Sequence, residues 1–384
     1  MKKPRTISRQ AGSGTRRVLI RTLPLTTGNY GGILQAFALQ TAIERLGSFD
    51  VDIDITRRLG RRSSWKHAIL ALKSALLPIP IFAVERRDAM NVDVLKFLDR
   101  IRTVRVFGLR RRPRPIIGTY DFFVSGSDQI FRPAYGDVAS YLFDFLDDNA
   151  ASRAVTYAAS FGRGDLVEFS GDMACRTRRA AQRLRAVAVR EEEGVGQAKE
   201  IWGIDAVRVG DPTLLLKSED YPVANLPPSS RGETRIVTYF LDESLASDLE
   251  GLGELEDLSV PPVPGLWATL RRAGTTRRPS VEAWLGALAS ADIVVTDSFH
   301  GCVFAHLFER PFLVVSNHER GLSRINSLLR LTGMEDRLVA RHDLRDAAGR
   351  LLSSDAREAD WTRVRSALAE ERAASLAYLS EALR

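Results

Sequence analysis

The hexapeptide Asp297-Ser298-Phe299-His300-Gly301-Cys302 follows the apolar run 291–296 and leads into a helix-like stretch, so one histidine stands at a strand-to-helix turn. A parallel strand that ends in a small-residue turn points the first backbone N–H groups of the next helix at whatever binds there, and those groups favour anions. A phosphate or carboxylate fits, with Ser298 and Gly301 as contacts and His300 as the proton-exchanging or hydrogen-bonding group. A lone histidine at a helix start is more often structural than catalytic, yet His300 sits in a turn where a backbone anion site is expected. His306, further along the same helix, reads as a packing or capping residue.

Arg190 ends the apolar strand 186–189, where a planar guanidinium fork suits a carboxylate or phosphate. The competing reading is a salt bridge to Glu191, Glu192 or Glu193. In the glycine turn Gly28-Asn29-Tyr30-Gly31-Gly32, the glycines allow close approach of a ligand, and Asn29, Tyr30 and Gly31 are candidate contacts. Ser127 and Asp128 stand in a similar turn after the buried strand Phe122-Phe123-Val124, and Asp211 precedes Pro212 after another apolar run. Each of these residues could equally serve only to turn or cap the chain.

The elements that must position these residues alternate apolar strands with helical stretches, the signature of an α/β protein with parallel sheets. Strands are expected at 17–23, 50–55, 155–158, 186–189, 206–209, 235–241, 293–296 and 312–315, with helices at 33–46, 281–288 and 301–308. The expected organisation is a disordered basic tail at 1–16 and a Rossmann-like domain at 17–216 with a basic helical insertion at about 57–115. A linker at 217–234, a second Rossmann-like domain at 235–340 and a helical segment at 341–384 follow. Trp361, Val364, Leu368, Leu376, Leu379 and Leu383 recur at helical spacing near the end. Ligands in such sheets bind beyond the carboxyl ends of the strands, where the turns above fall.

A chain of 384 residues exceeds what one core usually serves, and a 45% hydrophobic content is ordinary for a globular protein. Cys175 and Cys302 have no metal-ligand spacing, so neither a structural zinc nor a disulfide is expected. The net charge of +7 concentrates in Arg57, Arg58, Arg61, Arg62 and Lys66, and in Arg110, Arg111, Arg112 and Arg114. Such clusters attract phosphates, including those of an anionic membrane surface, or simply solvate a face. Nucleic-acid binding is not expected, since no recognition motif accompanies the charge. The amino end lacks the apolar run of a secretory signal, and the stretch 68–84 is broken by Lys73, Pro78 and Pro80, so the expected location is cytoplasmic with at most peripheral membrane contact. No phosphate-loop, dinucleotide or zinc-protease pattern is present, and no cofactor or metal is expected.

The blocks TDSFHGCVFAHLFERPFLVV (296–315), TGNYGGILQ (27–35), YDFFVSGSDQIF (120–131), YAASFG (157–162), VREEEG (189–194) and VGDPTLL (209–215) together resemble the polysaccharide pyruvyl transferase family, in the family's order. The resemblance implies two Rossmann-like domains facing across a cleft, the glycosyltransferase-B-like architecture. It also implies transfer of a pyruvyl group from phosphoenolpyruvate to two hydroxyls of a sugar, or of a lipid-linked oligosaccharide, giving a ketal and phosphate. It places Arg190 and the Gly301 helix start on the donor's anionic groups and His300 as acid or phosphate partner. The general base is unassigned, with Asp128 and Asp211 as candidates. Cys302 stands where the family often has threonine, and it reads as a small buried thiol. Two other readings remain open: a nucleotide-sugar glycosyltransferase of similar architecture, and a non-catalytic binder of anionic lipid or nucleic acid.

Overall fold

A computed structural model describes residues 14–56, 90–107, 113–162, 166–169, 171–225, 234–241, 244–259, 277–317, 322–353 and 361–384. The cluster Arg57, Arg58, Arg61, Arg62 and Lys66, the run Arg110 to Arg112, most of the expected tail and residues 226–233 of the expected linker lie outside the described residues. The chain divides into two units, the first drawing on Met1–Leu76, Leu98–Leu215 and Glu371–Arg384 and the second on Leu77–Phe97 and Leu216–Glu370.

The first unit runs β1 (Arg16–Arg21), α1 (Tyr30–Leu46), β2 (Phe49–Asp54), β3 (Thr103–Val104), β4 (Phe122–Ser125), β5 (Ala154–Thr156), α2 (Gly171–Ala181), β6 (Ala188–Val189), α3 (Glu192–Trp202) and β7 (Val207–Arg208). Its sheet has the order β3-β2-β1-β4-β5, and every pair is parallel. The parallel pair β6–β7 continues beyond β5 through single bridges, Val155 to Ala186 and Ala159 to Val189. Strands buried on both faces read as short continuous apolar runs, and all of Phe122–Ser125 is buried accordingly. The two-residue β3 carries no such signal: it lies inside the stretch expected to be a helical insertion, and it forms the edge of the sheet instead.

Helix α1 starts where the Asn29 side chain accepts the Gly31 N–H, and it ends at Gly47. Trp202, the last residue of α3, is fully buried. It meets Phe131 edge-on at 4.8 Å and donates its indole N–H to Thr177 Oγ1 at 2.9 Å, which satisfies the polar edge of an otherwise apolar ring.

The second unit runs β8 (Arg235–Tyr239), β9 (Glu254–Asp257), α4 (Val281–Ala289), β10 (Ile293–Thr296), α5 (Phe299–Leu307), β11 (Phe312–Val315), α6 (Ser323–Thr332), β12 (Leu338–Val339) and α7 (Leu344–Leu352). All strands are parallel in the order β12-β11-β10-β8-β9. Ile236, Ile293, Val295, Leu313 and Val315 form one face of its core with Leu344 and Leu351 of α7. The last helix, α8 (Trp361–Ala382), begins among second-unit residues, and from Glu371 it belongs to the first. There Glu371 pairs with Arg208, and Ser375 Oγ accepts the Gly210 N–H.

Candidate active site

Strand order fixes where ligands can sit. In the first sheet β1 connects toward β2 on one side while β4 lies on the other, so the loops leaving β1 and β4 diverge and open a crevice at their carboxyl ends. In the second sheet the same reversal falls between β8 and β10. Two of the turns read from the sequence, the one after β4 and the one after β10, stand at these two switch points.

In the second unit, Thr296 ends β10, donating its hydroxyl to the Tyr239 carbonyl at 2.6 Å and accepting the Ser298 N–H at 3.0 Å. Asp297 then joins three loops, accepting from Leu241 N at 2.8 Å and from Asn317 Nδ2 at 3.2 Å. Ser298 caps α5, its side chain accepting from Gly301 N. A β-carbon on Gly301 would come within 2.5 Å of Thr296 Oγ1, so only glycine lets the helix start this close to the strand end. His300 occupies the first turn of α5, 7% exposed, with its ring edge-on to Phe299. The turn thus presents a helix amino end and an imidazole together, an arrangement that can hold an anion and move a proton.

His306 and Cys302 face the other way chemically. His306 Nδ1 lies 2.8 Å from the Cys302 carbonyl and Nε2 lies 3.0 Å from Thr332 Oγ1. Burial pushes the His306 pKa down to about 4 against the hydrogen bond to Cys302, and it pushes the Cys302 thiol up. Neither group is poised for chemistry near neutrality. The unfolded chain takes up the His306 proton near the ordinary value of 6.5, the folded chain only near 4. The stability associated with the neutral ring is therefore full above pH 6.5 and is lost as pH falls from there toward 4. The expected loss is about 3 kcal/mol. Urea midpoints at pH 7 and pH 4.5 check this: the wild-type should lose more stability than His306→Gln over that interval.

In the first unit, the sequence-read residues divide. Asn29 is exposed and serves as the α1 cap, Gly31 supplies the N–H it takes up, and Tyr30 is wholly buried. Asp128, Arg190 and Asp211 instead form one buried cluster, and Ser127, also buried, precedes Asp128 in the chain. Arg190, 4% exposed, donates through Nη1 to Asp211 Oδ2 at 2.6 Å and through Nη2 to Asp128 Oδ1 at 3.4 Å, while its Nε stands 4.0 Å from Glu191 Oε2. Burial works against the guanidinium's charge, yet Asp211, Asp128 and Glu191 together raise its pKa above the usual arginine value. Asp211 Oδ1 accepts from Thr213 N and Thr213 Oγ1, and its Oδ2 also accepts from Gln35 Nε2. Glu191 Oε1 accepts from Ser160 Oγ at 2.8 Å and Phe161 N at 3.0 Å.

Asp128 adopts φ 67° and Ala158 φ 49°, both left-handed, at the ends of β4 and β5. Such conformations cost free energy and gather at functional sites. Gln35 was not among the sequence-read contacts. Its signal was an amide among the buried apolar positions of α1.

The sequence profile of the polysaccharide pyruvyl transferase family matches residues 29–319, which takes in both switch points. The chain belongs to the polysaccharide pyruvyl transferase family. No curated protein matches it in sequence. Among solved structures, this member of the pyruvyl transferase family is similar to a glycosyltransferase from Rickettsia africae ESF-5, at 12% identity over 97% of this chain and 99% of that one, with a TM-score of 0.53. It also matches Anabaena Alr3699/HepE in complex with UDP and glucose, at 11% identity over 95% and 97% of the two chains with a TM-score of 0.48. S. aureus MnaA with UDP matches at 10% identity over 91% of each chain, TM-score 0.48. The Rickettsia likeness establishes the fold: α/β, with two Rossmann-like units of the glycosyltransferase-B-like kind and a carboxyl-terminal helix. Among the described residues no helix is long and apolar enough to cross a membrane, and no group of His, Cys, Asp and Glu is arranged to hold a metal ion.

Proposed function

We propose that this transferase moves the pyruvyl group of phosphoenolpyruvate onto two hydroxyls of a sugar in a polysaccharide or its lipid-linked precursor, forming a cyclic ketal and releasing phosphate. One observation carries the reading: the family match spans the turn that joins an anion-favouring helix start to His300. The backbone N–H groups of α5 hold an anionic group of the donor. His300 gives a proton to the donor's methylene carbon, or donates a hydrogen bond to the departing phosphate. The proton balance is simple. Of the two hydroxyl protons of the acceptor, one is matched by the proton gained at the methyl carbon and the other leaves with phosphate.

A nucleotide-sugar donor is the second reading, and Asp257 weighs against it. In dinucleotide-binding folds an acid about 20 residues beyond the first turn reads the ribose. Here the acid at the end of β9 accepts instead from Thr238 Oγ1 at 2.8 Å, Ser259 N at 2.9 Å and Ser244 Oγ at 2.7 Å. Burial alone would raise its pKa, but these hydrogen bonds outweigh it and lower the pKa, so the carboxylate is committed to its own loop.

A thermal-shift assay separates the two donors. Phosphoenolpyruvate at a hundredfold excess over its Kd should stabilise the protein by about 2.7 kcal/mol, raising the melting temperature by several degrees. A rise with UDP-glucose and none with phosphoenolpyruvate would hand the site to the nucleotide sugar.

A further inference from the structure

We propose that Glu371 and Ser375 of α8 are positioning residues, which hold the turn after β7 so that Asp211 keeps the Arg190 guanidinium in place. The proposal rests on the pyruvyl-transfer reading above, with Arg190 taking part in substrate binding. Every hydrogen bond it uses lies within the first unit. The family match stops at residue 319, short of α8.

The first observation is the face that α8 buries. Val364, Leu368, Glu371, Ser375, Leu379 and Ala382 recur at three- and four-residue steps, and none is more than 7% exposed. A helix that needed only to be covered would carry apolar residues along this whole stripe. Its two middle positions are instead a carboxylate and a hydroxyl. Buried polar groups add little net stability over apolar ones of the same shape, so their use here is to fix a geometry.

The second observation is what they fix. Glu371 accepts from Arg208 through both oxygens, at 2.9 and 2.6 Å, and Ser375 Oγ accepts the Gly210 N–H at 2.9 Å. The Gly210 carbonyl accepts from the Tyr157 hydroxyl at 3.0 Å, and Arg372 Nε donates to the Leu214 carbonyl at 2.9 Å. Asp211 is therefore gripped along the chain on both sides. A β-carbon on Gly210 would stand 3.0 Å from Glu371 Cγ and 3.3 Å from Ser375 Oγ, so the block VGDPTLL carries glycine where the helix lies against it.

Sheet order carries the effect to Arg190. β6 lies between β5 and β7, and Arg190 follows β6, its backbone N–H donating to the Ala159 carbonyl at 3.0 Å. α8 holds the strand on either side: the Tyr378 hydroxyl donates to the Thr156 carbonyl at the end of β5, at 2.9 Å, and Glu371 holds Arg208 at the end of β7. Asp211 meets the guanidinium at 2.6 Å, so a shift of the turn moves the fork. Displacements of about an ångström in a group that positions substrate are enough to cost activity.

The test is a double-mutant cycle in the full chain, with phosphoenolpyruvate and p-nitrophenyl hexopyranosides as substrates. Ser375→Ala and Glu371→Gln should each lower kcat/KM about tenfold, with melting curves reporting that each variant is folded. Arg190→Lys should lower it too, and adding Ser375→Ala to Arg190→Lys should cost nothing further, because the helix acts through that fork. Adding Ser375→Ala to His300→Ala, a change in the other unit, should cost about tenfold again. Additive losses with Arg190→Lys, or a lowered melting temperature with unchanged kinetic constants, would overturn the proposal and leave α8 as a stabiliser alone. So would an Arg190→Lys protein with wild-type kinetics. A wild type that consumes no phosphoenolpyruvate would remove the pyruvyl-transfer reading, and the unfolding midpoints of Ser375→Ala, Asp211→Asn and their double variant would still decide the positioning. Coupled losses there support it, and additive losses overturn it.

Discussion

His300→Ala lowers turnover of phosphoenolpyruvate and a sugar acceptor by about 10²-fold or more, because the imidazole moves a proton in the transition state. The backbone anion site is untouched by the change: the Ser298 cap and the α5 amino end do not depend on the ring. The KM for phosphoenolpyruvate should therefore change far less than kcat, the pattern of an interaction made mainly in the transition state. Steady-state kinetics with phosphate release as the readout check it. Near-native turnover by a folded His300→Ala protein would remove the imidazole from the mechanism and leave backbone anion binding alone at that turn.

Asp211→Ala is expected to destabilise the protein by about 3–5 kcal/mol, the cost of removing the nearest carboxylate of a buried guanidinium. Asp211 is 2% exposed, and one of its oxygens accepts from both Arg190 and Gln35. The remaining oxygen holds Thr213, so the turn after β7 loosens as well. The denaturant midpoint measures the effect. A larger loss for Asp211→Ala than for Asp128→Ala is expected, because the Asp128 pair is longer and its side chain more exposed. Equal losses would mean that the guanidinium is held by the set as a whole.

How much of this was legible in the sequence depended on whether a signal was local. β10 and β11 lie where the apolar runs 293–296 and 312–315 placed them, because strands covered on both faces are uninterrupted apolar runs. The turn after β10 was legible for the same reason: Ser298, His300 and Gly301 act within one turn of helix, so spacing alone brings them together. β6 and β7 fall within the runs 186–189 and 206–209 expected to be strands, whereas the two-residue β3 is too short for a pattern and exists because β2 pairs with it. The Arg190 cluster was only half legible. Its strand-end position could be read, and so could the competition from a neighbouring acid. Its main partners, however, come from positions 62 and 21 residues away, brought in by sheet order rather than by spacing. Asn29 and Tyr30 show the converse. A glycine turn announces close approach, but it does not say whether a ligand or the helix's own first turn uses it; here the Asn29 side chain takes the Gly31 N–H.

The central claim is the transfer of a pyruvyl group from phosphoenolpyruvate to a sugar, and one incubation tests it most directly. Purified protein is mixed with phosphoenolpyruvate and a panel of aryl and lipid-linked glycosides, and released phosphate and product mass are followed together. The account predicts phosphate released in step with a product whose mass is that of one acceptor plus one pyruvyl ketal, formed only when both substrates are present. A product that instead gains a sugar from a UDP-linked donor, with phosphoenolpyruvate left intact, would contradict it.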